Sequence, residues 1–284
     1  MIEIFAPAKV NLYLHVVGRR PDGYHLLDSL VVFVGVGDSL RLEPGQGLHL
    51  ALEGPTAPLL ASESDNIVLR AAAKLAQAVG RSADARISLT KRLPVAAGIG
   101  GGSADAAAAL QGLCQLWAVE PPDLAAIGLS LGADLPVCLR DQPTQMAGVG
   151  EQLQAAPVLP PAWLVLVNPR VAVPTPMVFK GRQGPFSQPA PLLEAPANAI
   201  ELAGLLANRH NDLTDPAIAL APVIAEMLTA IDGTNGCLLA RMSGSGATCF
   251  GLYGAESDAE EAAERLASHN PDWWIAAAPI LGEK

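Results

Sequence analysis

The chain has 284 residues, half of them hydrophobic but only 4% aromatic, so it is long enough for two domains and its core must be aliphatic and alanine-rich. Eighteen basic against 28 acidic residues give a net charge of −10 with no basic run, which argues against nucleic acid or another polyanion as partner. No apolar stretch reaches the ~18 residues of a membrane span, Met1-Ile2-Glu3-Ile4 lacks a secretory start, and Cys114, Cys138, Cys237 and Cys249 form no C-x-x-C pair, so a cytoplasmic protein without membrane contact, disulfide or zinc is expected.

From Lys9 to Val16 the sequence alternates strictly. Lys9, Asn11, Tyr13 and His15 share one face of a predicted strand, and Val10, Leu12, Leu14 and Val16 share the other, which faces a core. The first face gathers an ammonium, an amide, a phenol and an imidazole. That is either a site or the wet side of an edge strand. Pro21-Asp22-Gly23 is a turn signal, after which Tyr24-His25 leads into the apolar run Val31-Val32-Phe33-Val34. Strands dominate residues 2–54. A helix is expected from about Asp65 to Val79, and a strand near Ile87 to Thr90.

Leu93-Pro94-Val95-Ala96-Ala97-Gly98-Ile99-Gly100-Gly101-Gly102-Ser103 then joins a glycine-dense loop directly to an alanine-rich helix running on to Leu110. Glycines admit positive φ and close backbone approach. A first helical turn adds unpaired N–H groups and the positive end of the macrodipole, so the segment reads as a phosphate cradle. Ser103 suits the helix start, as N-cap or hydroxyl ligand. The competing reading is that the glycines only permit tight packing. Neither a P-loop nor a dinucleotide fingerprint matches, because no lysine follows the glycines and no third glycine stands where Ser103 or Asp105 does.

In Leu131 to Leu139 one carboxylate, Asp134, is set among apolar residues, as a base or orienter or else as a turn or N-cap residue. Pro157, Pro160 and Pro161 break the pattern before a buried strand, Trp163 to Asn168, so domains are expected at 1–156 and 157–284. Gly181 to Pro196 reads as a long loop, and Asn211 to Ile231 as helical after Pro216. Cys237 to Met242 and Cys249 to Tyr253 flank Ser243-Gly244-Ser245-Gly246, which is a hairpin turn or a ligand loop. Asp258 to Ser268 is an acidic amphipathic helix, and His49, His210 and His269 lack ligand spacing, which suits surface or capping roles. The residues taken by themselves give two α/β or α+β domains with a phosphate loop.

Gly98 to Ser103 resembles the second motif of the GHMP kinases, with Gly-Gly-Gly-Ser where most of that superfamily has Gly-Leu-Gly-Ser-Ser. This variant, with Ala6-Pro7-Ala8-Lys9-Val10-Asn11-Leu12-Tyr13-Leu14-His15 and Gly18 to His25, is similar to the branch that phosphorylates 4-diphosphocytidyl-2-C-methyl-D-erythritol. Arg241 to Phe250 resembles the third GHMP motif. Ser64-Asp65-Asn66-Ile67-Val68 resembles the segment that meets adenosine, and Pro174 to Phe179 the stretch that helps enclose cytidine. The resemblance covers essentially the whole chain. It implies an α+β, two-domain GHMP kinase fold, ribosomal-protein-like then ferredoxin-like, with the active site in the cleft between them.

It further implies an ATP-dependent kinase of isoprenoid precursor synthesis. ATP would lie along Gly98, Ile99, Gly100, Gly101, Gly102, Ser103 and Ala104, with Asn66, Lys91 and Pro94 beside it. Mg²⁺ would bridge phosphate oxygens, and no protein ligand is assigned to it. Lys9 and Asp134 would form the catalytic pair facing the acceptor 2-hydroxyl. Asn11, Tyr24, His25, Thr175, Phe179, Ser243 and Gly244 would hold the cytidine diphosphate-linked alcohol, with Tyr24 stacked on cytosine, His25 reading its edge and Phe179 closing the other face. A homoserine or mevalonate type of kinase, or a catalytically inactive nucleotide-binding relative, stays open. A monomer or homodimer is expected.

Overall fold

The computed structural model describes residues 1–60 and 65–282. Its Cα framework divides into two compact units, each discontinuous in sequence. The first comprises Met1–Ala8, Gly37–Val95 and Gly100–Asp141. Two long strands, β1 (Ile2–Arg19) and β2 (His25–Glu43), pair with one another, and each contributes one end to this unit. It adds β3 (Leu48–Glu53), α1 (Ile67–Ala78), β4 (Ala85–Thr90), α2 (Gly101–Trp117), α3 (Leu124–Leu129) and α4 (Leu135–Cys138). Strand β4 lies between β2, antiparallel from Ser39↔Thr90 to Glu43↔Arg86, and β3, parallel from Leu48↔Ala85 to Glu53↔Thr90. Helix α1 buries Val68, Ala71, Ala72 and Leu75, the one-sided spacing of an amphipathic helix, and packs against α2. Helix α2 is buried almost all round from Ala104 to Leu110, which its short alanine side chains permit.

The second unit comprises Lys9–Val36, Ala96–Ile99 and Gln142–Lys284. It contains β5 (Thr144–Gly148), β6 (Gln152–Ala155), β7 (Trp163–Asn168), α5 (Thr175–Gly181), α6 (Ala199–Ala207), α7 (Thr214–Leu220), α8 (Val223–Asp232), β8 (Leu239–Met242), β9 (Cys249–Tyr253), α9 (Glu256–His269) and β10 (Trp274–Pro279). Four strands form an antiparallel sheet in the order β10-β7-β9-β8. Val165 and Val167 of β7 share a core with Ile224 and Met227 of α8, Leu266 of α9, and Leu14 and Val16 of β1. Strand β5 pairs with the N-terminal half of β2 from Leu27↔Gly148 to Val31↔Thr144, and β6 pairs with β5.

Two expectations need correction. The stretch Asn211 to Ile231 is two helices, because Pro222 cannot continue the hydrogen-bond ladder begun in α7. The alternating strand β1 has no wet side: Lys9, Asn11, Tyr13 and His15 are all at most 3% exposed. Among the described residues no helix is long and apolar enough to cross a membrane, and all four cysteines are free, three of them buried.

Candidate active site

In the first unit the glycine loop becomes helix earlier than its sequence suggests. Helix α2 starts at Gly101, and the residue before it, Gly100, occupies the left-handed region at φ 65° with no side chain capping the helix. Ser103 is therefore the third helical residue and not the N-cap. The glycines that read as loop already carry the first turn, whose N–H groups have no intrahelical acceptor. A Cβ on Gly101 would stand 3.5 Å from Leu93 and 3.7 Å from Lys91 Nζ, and one on Gly102 would stand 3.8 Å from Ile67. These are ordinary contacts. Protein packing does not demand glycine at either position, although each costs about 1 kcal/mol of helix propensity relative to alanine.

Lys91, expected beside ATP, is 3% exposed and already engaged. Its ammonium donates to Asp105 Oδ2 at 2.6 Å and to Asp38 Oδ2. Asp38 Oδ1 accepts from the N–H groups of Arg92 (2.5 Å) and Leu93 (2.9 Å). Burial pushes the Asp105 carboxyl up to about 7 against the pull of the Lys91 ammonium. Burial would lower the Lys91 pKa, yet the two carboxylates outweigh it and hold the ammonium charged. Neither aspartate was singled out from sequence, where nothing marks a partner at such separations.

Asn66 is the N-cap of α1, and its Oδ1 accepts from Val68 N at 2.9 Å. Contact with a nucleotide is thereby left to its NH₂ or its backbone. Ser64 of the same motif lies outside the described residues. Pro94 is buried. Asp134 occupies the N-cap position of α4, half-buried and in helical conformation, without a side-chain capping bond.

In the second unit two glycine turns pack backbone on backbone. A Cβ on Gly98 would lie 2.5 Å from Gly246 O, and one on Gly244 would lie 2.7 Å from Gly98 O. Thr248 donates from its N and Oγ1 to Ala97 O (3.1 and 2.6 Å), and Lys9 N donates to Ile99 O at 3.0 Å. Ser243 Oγ accepts from Asn11 N at 3.0 Å and donates to Gly98 O at 3.3 Å. Ser243 and Gly244, expected on substrate, thus hold the base of the phosphate loop to β1. Asn11 Nδ2 donates to Ser29 Oγ at 2.8 Å, whereas its buried Oδ1 has no partner. Behind the strand, Arg241 donates to the carbonyls of Leu12, Leu206 and Arg209, and burial pushes its pKa down to about 10.

Tyr13 and His15 are occupied structurally. Tyr13 Oη bonds Asp28 Oδ1 and Gln145 Oε1, both at 3.1 Å. His15 Nε2 accepts from His210 N at 3.2 Å, so Nδ1 carries the proton toward Gln188 O at 3.2 Å. Burial, helped by His210, lowers its pKa and keeps the ring neutral. The long segment after α5 is tied down along this face, with Ser187 N donating to Val16 O at 3.0 Å and Ala190 N to Asp28 Oδ2 at 2.6 Å. Ser187, His210 and Asp212 also meet. However, Ser187 Oγ (3.3 Å) and Asp212 Oδ1 (2.8 Å) approach the same imidazole nitrogen, which rules out a nucleophile relay through the ring.

Tyr24 and His25 follow a closed turn in which Gly23 N donates to Arg20 O and Arg20 N to Tyr24 O. The Tyr24 ring is 64% exposed. His25 stacks on Phe179 of α5, with centroids 4.9 Å apart and planes at 26°. Phe179 thus backs His25. Burial lowers the His25 pKa, and the nearby Arg19 and Arg182 guanidinium groups push the same way. Thr175 Oγ1 bonds Ser245 Oγ at 2.7 Å, joining α5 to the glycine turn.

Residues 66–147 match the family model described as the GHMP kinases N terminal domain, and residues 190–272 match the GHMP kinases C terminal model. The chain is 61% identical to the 4-diphosphocytidyl-2-C-methyl-D-erythritol kinase of Paramagnetospirillum magneticum, covering 98% of each chain. It is 55% identical to the enzyme of that name from Rhodospirillum rubrum, covering 98% of this chain and 92% of the relative. A crystal structure of 4-(cytidine 5'-diphospho)-2C-methyl-D-erythritol kinase superposes with a TM-score of 0.82 at 36% identity, covering 99% of this chain and all of the other. Homoserine kinase from Cytophaga hutchinsonii, at 17% identity and a TM-score of 0.66 over 98% of this chain and 94% of its own, shares the fold.

Proposed function

The chain belongs to the GHMP kinase family, as an ATP-dependent kinase of the 4-diphosphocytidyl-2-C-methyl-D-erythritol kinase branch, and from that premise we propose that it transfers the γ-phosphoryl group of ATP to the 2-hydroxyl of that cytidine diphosphate-linked alcohol. Its fold is the α+β two-domain fold of the family, and the two family models fall on either side of the proposed boundary at 156/157. The observation that carries the phosphate site is the first turn of α2, where two glycines stand without any packing need for them.

Gly98 to Ala104 cradle the triphosphate, with Pro94 and Asn66 beside the nucleotide. The N–H groups of the turn stabilise charge as the γ-phosphoryl leaves. Asp134 orients the acceptor hydroxyl and takes its proton late, because a loose transition state needs little prior deprotonation. Lys9 stabilises the transferred charge. Asn11, with its orphaned Oδ1, together with Tyr24, His25, Phe179 and Thr175, holds the cytidine-bearing alcohol. Ser243 and Gly244 support that site through the backbone. Mg²⁺ would enter with ATP and would supply neutralising charge to the phosphates. Among the described residues no group of three or more His, Cys, Asp or Glu side chains forms a metal cage, and no step is routed through the ion.

Steady-state turnover of ATP with the cytidine substrate tests this reading, with the uridine counterpart and free methylerythritol as controls. Turnover confined to the cytidine compound is expected. Equal use of the two nucleotide alcohols, or preference for the free alcohol, would sink the substrate assignment.

A further inference from the structure

The ion cluster behind the phosphate turn has a charge balance that does not suit a phosphate ligand. Lys91 at the end of β4, Asp38 on β2 and Asp105 on α2 are each at most 3% exposed. Two carboxylates and one ammonium sum to −1 when all are ionised, and to zero when Asp105 keeps its proton. In neither state is positive charge left over for a triphosphate. Two of the three ammonium protons are also committed, to Asp105 and Asp38. Yet the ammonium lies directly under the turn, 3.7 Å from the Cβ position of Gly101. Asp105 Oδ1 is buried without a partner, a cost that a cluster kept only for stability would not carry.

We propose that Lys91 is a positioning residue and not a phosphate ligand: through Asp105 it fixes the first turn of α2, and through Asp38 the strand end from which it extends. The backbone of Arg92 and Leu93 is drawn into the same arrangement by Asp38. The cradle N–H groups are thereby aimed before the nucleotide arrives, and affinity comes from their orientation without any contact from the lysine. This inference rests on reading the turn as the triphosphate site.

The two roles predict opposite signs for Asp105→Asn. Were Lys91 a ligand, removing a competing carboxylate would free its ammonium and tighten ATP binding, while Lys91→Met would weaken it. As a positioning pair, Asp105→Asn and Lys91→Met should each weaken MgATP binding by a similar factor, on the order of 10-fold, and the double variant should be no worse than the weaker single one. Both changes should lower the melting temperature, because each breaks a buried ion pair, but the dissociation constant of the folded variants for the cytidine substrate should stay near wild type, as measured by thermal unfolding and titration calorimetry. If Lys91→Met does not fold, the near-isosteric Asp105→Asn decides by its sign. Tighter or unchanged MgATP binding in Asp105→Asn overturns the proposal, and so does equal loss of affinity for both ligands. Gly101→Val serves as the control: unchanged ATP affinity there would instead remove the phosphate site itself.

Discussion

Gly98 and Gly244 meet backbone to backbone, so closely that a Cβ on Gly244 would stand 2.7 Å from the Gly98 carbonyl oxygen. Both residues also have positive φ, +74° and +57°. Packing therefore accounts for these two glycines, and it does not account for Gly101 and Gly102. The glycine-rich sequence holds two populations with different duties. Gly98→Ala and Gly244→Ala should lower the melting temperature and impair both ligands. Gly101→Val should weaken ATP binding and leave the cytidine substrate nearly untouched, as read by calorimetric titration of each ligand. Loss of both ligands in Gly101→Val would return that residue to the packing group.

Asp134→Asn should cut turnover by roughly 10²–10⁴-fold, the range for loss of a positioned acid or base, with little change in either dissociation constant. Combination with Lys9→Met should be clearly less than multiplicative. Single-turnover kinetics on folded protein are the measurement, and near-wild-type turnover in Asp134→Asn removes that residue from the chemistry.

Tyr24→Ala should raise KM for the cytidine substrate far more than for ATP, because base stacking on an aromatic ring is worth about 1–3 kcal/mol. His25→Ala should reduce the preference for cytidine over uridine, since edge reading sets the choice of base. The lowered His25 pKa adds a pH test. The neutral ring persists below the ordinary histidine value, so base preference should hold from pH 8 down to about 6.5 and decline only on further acidification. A preference that already changes between pH 8 and 7 would contradict a neutral reading group.

Asp212 makes a stability prediction. Burial disfavours its charged form, but hydrogen bonds from Val16 N (2.6 Å), Ser187 (3.0 Å) and His210 (2.8 Å) outweigh burial and hold its pKa below the ordinary range. A group depressed in the folded state contributes stability above its unfolded value, near 4, and loses it as pH falls through the folded value. Asp212→Asn should cost about 1–3 kcal/mol at pH 7, the size of a hydrogen bond to a charged group. The difference from wild type should shrink below pH 4. Chemical denaturation at pH 7 and pH 3.5 tests it, and a difference that grows in acid would reverse the assignment.

Elements with a strong period were legible in the sequence. The alternation from Lys9 to Val16, the run Trp163 to Asn168 and the acidic helix ending near Ser268 all stand where expected. Strand β10 was not, because Ala276, Ala277 and Ala278 have little strand propensity and are held by the ladder to β7. In the candidate site, the positions of the glycine turns and of Tyr24 and His25 could be read directly. What could not be read was how each polar side chain is used. Tyr13, His15 and Ser243 share the residue types of a binding face, and only the structure reveals their distant partners Asp28, His210 and Gly98. The partners of Lys91 were hidden for the same reason, since Asp38 lies 53 residues away and Asp105 lies 14 away.

The core that joins Leu14 and Val16 of β1 to β7, α8 and α9 has a consequence for the birth of the protein. Leu266, which shares that core, emerges from the ribosome about 250 residues after Val16, a delay of roughly 12–50 s at 5–20 residues per second. The partners of strand β1 in α8 and the β8–β9 hairpin arrive earlier, but still more than 200 residues after Val16. The N-terminal strand can pair early with β2, its neighbour in sequence, but its share of this core closes only when nearly the whole chain has been made.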